Sequence, residues 1–253
     1  MKTPRLLTTA IAAAALLLGA AAGAVADTMI KTVTVTDAFK MMGQERPART
    51  DTTQTWMTDG RAAILLPQNQ KVILRLDEDM LYVINGAEKS YFEAPASAVK
   101  ALVEQTMAEA SESDSAAAQM QQQISVKVTP TEQTKKVKDW NATRYDIMIE
   151  LPMMTSTSQM WVSEDVDIDW DMFRAVQMHT YALMPGSDKI FEDLAKIDGM
   201  TVEANSTMEM MGTEVVSTME LLEVVNDAEA PAAVYEIPSD FQKTANPMQG
   251  MGR

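Results

Sequence analysis

Residues 71–95 read KVILRLDEDMLYVINGAEKSYFEAP. Val72, Leu74 and Leu76 alternate with Lys71 and Arg75, the period of two that places one side of a strand against a core. Asp77-Glu78-Asp79 turns the chain. Met80, Tyr82 and Ile84 then alternate with Leu81 and Val83 as far as the turn signal Asn85-Gly86, beyond which a strand carries Tyr91. Short polar turns between alternating runs describe an antiparallel β-meander.

The same pattern extends upstream. TVTVTDAF (32–39) puts Val33 and Val35 on one side of a strand. TTQTWMTDGRAAILLP (52–67) is two strands around Asp59-Gly60. Downstream, Pro95 changes the period: Val99, Leu102, Val103 and Met107 share a helical stripe, so 96–110 is expected as an amphipathic helix. Residues 111–123 have little apolar periodicity and read as a loop or a polar continuation of that helix.

Strands resume at Ile124. Tyr145, Ile147 and Ile149 share a side after a turn at Trp140-Asn141, and STSQMWVSED (156–165) is a further strand. Asp169 suits a helix N-cap, with Met172, Val176, His179 and Leu183 as the stripe that follows. Pro185-Gly186 ends this helix, and Ser187 caps a second segment with Ile190, Phe191 and Leu194. A long hairpin turns at Met211-Gly212, and YEIPSDFQK closes the ordered chain. The expectation is α+β: about ten or eleven antiparallel strands with two helical insertions. One domain spans 27–243, followed by a disordered tail at 244–253.

Residues 1–26 have the form of a secretory leader. Lys2 and Arg5 precede an alanine-rich apolar run, and Ala24-Val25-Ala26 is a small-x-small cleavage pattern that puts the mature start at Asp27. The alternative is a membrane anchor, but the run is diluted by small residues. Removing Lys2 and Arg5 from the 21 basic residues leaves 19 against 36 acidic ones, a net charge of −17. Such a charge repels nucleic acid and anionic membrane surfaces. With no cysteine, the chain has neither a lipidation site at its N-terminus nor disulfide staples.

Enzymatic signatures are sparse. One histidine cannot build a His-rich zinc site, and HExxH, GxSxG, Walker A and GxGxxG patterns are absent. No cofactor is implied. EDVDIDWD (164–171) spaces Asp165, Asp167, Asp169 and Asp171 as a calcium loop would, but Trp170 and Val176 stand where an EF-hand needs Gly and Glu. The simpler reading is a loop with acids at a helix N-terminus. Asn141-Ala-Thr and Asn205-Ser-Thr are glycosylation sequons by letter only.

Methionine is the anomaly, at 22 residues. Thioethers ligate Cu(I), and Met208-x-Met210 with His179 is a candidate set. Alternatively the methionines line an adaptable apolar surface, or simply fill the core. A two-residue loop at 211–212 would set Met208 opposite Val215, Glu209 opposite Glu214 and Met210 opposite Thr213. The two thioethers then share a side whose nearest cross-strand neighbours are not soft ligands. Scatter of the other methionines along the chain favours a lining over one coordination centre.

Asp77, Met80, Tyr82, Lys89 and Tyr91, then Arg144, Tyr145, Trp161 and Val162, together resemble the signatures of an uncharacterised family of secreted bacterial domains. The last hairpin and closing YEIPSDFQK are similar too, with Tyr235 where that pattern usually has Phe. The resemblance covers about 30–243. It implies a fold like that of the lipoprotein carriers LolA and LolB and the LppX-type lipid-handling proteins: a curved antiparallel half-barrel with helices on its concave face. It implies no catalytic residues. The expected function is a periplasmic, non-enzymatic protein that carries or senses a lipid, lipoprotein or other apolar ligand. The alternatives are a Met-rich copper binder and an envelope-stress sensor acting on another protein. Candidate lining residues are Trp56, Met80, Tyr82, Met160, Trp161, Met208 and Met210.

Overall fold

The structure, a computed structural model, describes residues 27–99, 101–102, 125–151, 154–183, 187–210 and 212–245. The leader at 1–26, the body of the helix expected at 96–110, the 111–123 stretch and most of the tail at 244–253 lie outside the described residues.

Among the described residues, twelve strands form one sheet. They are β1 (Asp27–Thr36), β4 (Arg49–Thr58), β5 (Arg61–Leu66), β6 (Gln70–Arg75), β7 (Met80–Asn85), β8 (Ser90–Pro95), β9 (Ser125–Val137), β10 (Trp140–Leu151), β11 (Met154–Ser163), β12 (Met200–Met210), β13 (Thr213–Ala228) and β14 (Gln242–Lys243). The order across the sheet is β14-β8-β7-β6-β5-β4-β1-β13-β12-β11-β10-β9, while β2 (Phe39–Met41) and β3 (Gln44–Arg46) make a separate ribbon. The excess over the expected ten or eleven strands is β2, β3 and β14, pieces of two or three residues without an alternating pattern of their own. Every pairing in the large sheet is antiparallel except β14 with β8, and the sheet stays open and curved, with β14 and β9 at its edges.

In the meander β4–β8, both sides of each central strand are apolar. Partners directly opposite share a side, so Met57, Ala62, Leu74, Leu81 and Ala94 point one way. Trp56, Ala63, Ile73 and Tyr82 point the other. Ile73 and Leu81 are each 0% exposed. The turns are set locally. Leu76 leaves the strand for a 3₁₀ turn, Leu76–Glu78, and Asp79 closes it in the left-handed region at φ 51°. The Asp79 carboxylate accepts from Ser97 N at 2.9 Å and Ser97 Oγ at 2.7 Å, tying this turn to the start of the helical region. One expected turn moves: β9 meets β10 at Lys138-Asp139 rather than Trp140-Asn141. Lys138 takes a left-handed φ of 51° there, and its Nζ donates to Leu221 O at 2.6 Å.

The first side of the meander is covered by α1 (Trp170–Tyr181), whose buried Met172, Phe173 and Val176 join Ile30, Met57, Leu74, Leu81 and Phe92 in one cluster. A shorter helix, α2 (Ser187–Leu194), follows it. The second side is covered by the chain after β13, where Val234, Tyr235, Ile237 and Phe241 pack on Trp56, Ile73, Tyr82 and Ile84.

Candidate functional site

Helix α1 begins where the acidic run ends, and the run accounts for its own carboxylates. Asp169 Oδ1 accepts from the backbone N–H groups of Asp171 and Met172 at 3.0 Å each, the expected N-cap. Asp165 accepts from Asn141 at 2.8 Å, Asp167 from Asn226 at 3.2 Å, and Asp171 pairs with Arg174 at 2.7 Å. With each acid held by a different local partner, the four do not converge on one cation.

Trp170 and Phe173 meet edge to face at 5.9 Å between centroids, fixing two rings on the sheet side of α1. Beneath them is a cavity of about 130 Å³ between α1, the chain around Leu194–Gly199 and the sheet. Met160, Trp170, Phe173, Tyr181, Leu194 and Ile197 give it apolar walls, and Arg174, Gln177 and Asp198 edge it with polar groups. Burial raises the Tyr181 phenol above its ordinary value, so it stays neutral there. The volume is close to the roughly 150 Å³ that holds a benzene ring in an apolar interior. An acyl chain needs more, and the helices must move to admit one.

The opposite side of β9–β13 carries a different concavity, an open groove of about 420 Å³ lined by Lys127, Met148, Thr157, Gln159, Asn205 and Thr207. Arg144 and Asp146 also line it, joined by two bonds of 2.7 and 3.1 Å, and Arg144 Nη1 donates to Gln133 Oε1 at 3.0 Å. Arg144 and Asp146 are thus closed on each other, and the rest of the lining mixes hydroxyl and amide groups with Lys127, Met148 and Val216.

Of the seven lining candidates, Met160 lines the helix-covered cavity. Trp56, Met80 and Tyr82 belong to the cluster on the other side of the sheet, under the C-terminal segment. Trp161 is capped by Lys135 Nζ, 4.3 Å from its ring centroid, and the same amine reaches Glu203 at 2.6 Å. Met208 and Met210 sit at the far end of β12, opposite Val215 and Thr213 as the sequence implied. His179 is remote from them. Its Nδ1 bonds Ala175 O at 2.8 Å within α1, and α1 packs by Met172 and Val176 in one cluster with Ile30 and Met57. Ile30 and Met57 lie near the start of β1, whereas Met208 lies beyond the end of β1. At about 3.3 Å per residue the separation along the strands is roughly 25 Å, which sets His179 apart from Met208 and Met210.

Sequence reasoning missed the segment 229–241 as a cover. Lys71 Nζ donates to the carbonyls of Ala233, Val234 and Glu236 at 3.1, 3.2 and 2.7 Å, and Arg75 Nη2 to Tyr235 O at 3.0 Å. Tyr235 OH donates to Asp27, and burial with that bond holds the phenol protonated far above its usual range. Burial in turn lowers Lys71. The signal was present in AVYEIPSDF, where Val234, Tyr235, Ile237 and Phe241 are too apolar for a free tail.

No known sequence family matches the chain, and no curated protein does. Among solved structures, PNGF-II is similar over 85% of this chain and 31% of its own, at 10% identity and a TM-score of 0.37. MucB is similar over 85% and 59%, at 9% identity and a TM-score of 0.34. A putative outer membrane lipoprotein-sorting protein domain from Vibrio parahaemolyticus is similar over 83% and 89%, at 6% identity and a TM-score of 0.27. The chain thus spans less than two thirds of the first two. None of these likenesses carries the functional reading, which rests on the geometry above.

Proposed function

We propose that this is an exported, non-enzymatic binding protein that takes an apolar or acylated ligand between α1, α2 and the sheet. The observation that carries the reading is the partly apolar cavity against α1, which Met160 lines from the sheet and the Trp170–Phe173 pair from the helix. That helix is short, and α1 and α2 lie between β11 and β12 as an insertion. It can therefore lift without breaking the sheet.

Magnitudes set the ligand. Lifting α1 exposes Met172, Phe173 and Val176, at a cost of about 2 kcal/mol each, so roughly 6 kcal/mol. Each methylene of an incoming chain returns about 0.8 kcal/mol. Chains of fewer than about eight methylenes do not offset the opening, and longer ones do. Fatty acids, lipids and acylated peptides are the classes that qualify. Full-length protein recovered from the compartment into which it is exported should carry acyl species detectable by native mass spectrometry and solvent extraction. Ligand-free protein that also fails to bind a long-chain fatty acid in solution would sink the proposal.

A further inference from the structure

Methionines distant in sequence are brought to one corner of the sheet by strand register. Met210 on β12 lies directly opposite Met154 on β11, and Met208, two residues back, shares their side with Ser156 as its partner. Directly opposed Cβ atoms are about 5 Å apart, and same-side neighbours along a strand about 7 Å. Three unbranched side chains on so small a triangle can bring their sulfurs to one point. All three are half-buried and within reach of solvent, while Val215 beside Met208 is buried. Thr213, opposite Met210, donates its hydroxyl to Lys40 O at 3.1 Å, which ties the ribbon residue next to Met41 to the same corner.

Charge at this corner favours a cation. On the reverse side of the same strand ends, Glu150, Thr155, Glu209 and Glu214 form one cross-strand row, with all three carboxylates exposed. Like-charged neighbours across strands are unfavourable unless solvent or a cation screens them. Pointing away from the sulfurs, they cannot ligate the same ion, but their field raises the local concentration of cations. The three ligands themselves are neutral and soft. Such a set has little affinity for Ca²⁺, Mg²⁺ or Zn²⁺ and selects a soft monovalent ion.

We propose that Met154, Met208 and Met210 form a binding site for Cu(I), with Ag(I) as its chemical surrogate. The site is independent of the helix-covered cavity, on other residues and at the far end of β11 and β12. The test is an anaerobic titration of the full-length exported protein with Cu(I) against bicinchoninate, with X-ray absorption at the copper edge. The protein should withdraw one Cu(I) per chain, and the absorption spectrum should fit three sulfur neighbours. Replacing all three with leucine keeps the side-chain volume and should weaken binding by a hundredfold or more, while Met80→Leu changes nothing. Failure of the wild-type protein to compete, an oxygen or nitrogen shell around the copper, or unchanged affinity in the leucine variant overturns the site. Because the spectrum is read on the wild-type protein, the outcome does not depend on the variant folding.

Discussion

The meander β4–β8 and the long strands β9–β13 are halves of one sheet built on opposite terms. In the meander both sides are covered, by α1 on one and the segment 229–241 on the other, and the central residues are inaccessible. In the second half the side away from α1 is hydroxyl, amide and charge, and Met148 is 40% exposed. The first half holds the fold together. The second carries the surfaces on which chemistry can vary at little cost to stability, and the helix insertion and the thioether corner are both built on it.

The largest test of that contrast is Leu81→Ala. Leu81 is 0% exposed between Leu74 and Ala94, and its truncation should cost about 3–5 kcal/mol in denaturant unfolding. A loss below 1 kcal/mol would mean the meander is not the core. Next is Lys71→Met, which removes a cation bonded to three carbonyls of the C-terminal cover. The expected loss is about 2 kcal/mol, with new limited-proteolysis cuts within 229–241; an unchanged digest would remove Lys71 as the clamp.

A smaller effect depends on pH. Ser97 bonds hold the Asp79 carboxyl below its ordinary value, with His179 adding a minor charge effect. A depressed carboxylate stabilises fully above the unfolded value of about 3.9 and ceases to do so as pH falls through the folded value. The gap in melting temperature between the wild-type protein and Asp79→Asn should therefore be present from pH 7 to 5 and close below pH 4. A gap that widens below pH 4 contradicts the assignment. Smallest of all is Thr157→Ala in the polar groove, expected within about 0.5 kcal/mol of the wild-type protein. A large loss there would erase the distinction between the two halves.

Much of this was legible in the sequence, for reasons that also mark where legibility stopped. The 71–95 meander follows from local alternation and the pairing of Met208 with Val215 from a two-residue turn; the strands of the first and the register of the second stand as read. Which side of the meander faces the helices was not legible, because Ile73 and Tyr82 are as apolar as Leu74 and Leu81. Trp56, Met80 and Tyr82 therefore joined the cavity candidates while facing the C-terminal cover. The partnership of Met154 with Met210 was hidden for another reason. β11 and β12 are separated by α1 and α2, so no turn signal fixes their register. Scatter along the chain argued against a soft-metal centre, yet folding gathers three of the methionines.

The central claim, ligand uptake beneath α1, is tested most directly by affinity across a series of fatty acids differing by two methylenes, for the wild-type protein and for Met160→Trp. Each added methylene should tighten wild-type binding by about fourfold, the equivalent of 0.8 kcal/mol, beginning near eight carbons. The tryptophan, filling the cavity from the sheet, should abolish most of that binding. Affinity independent of chain length, or equal in the two proteins, would contradict it.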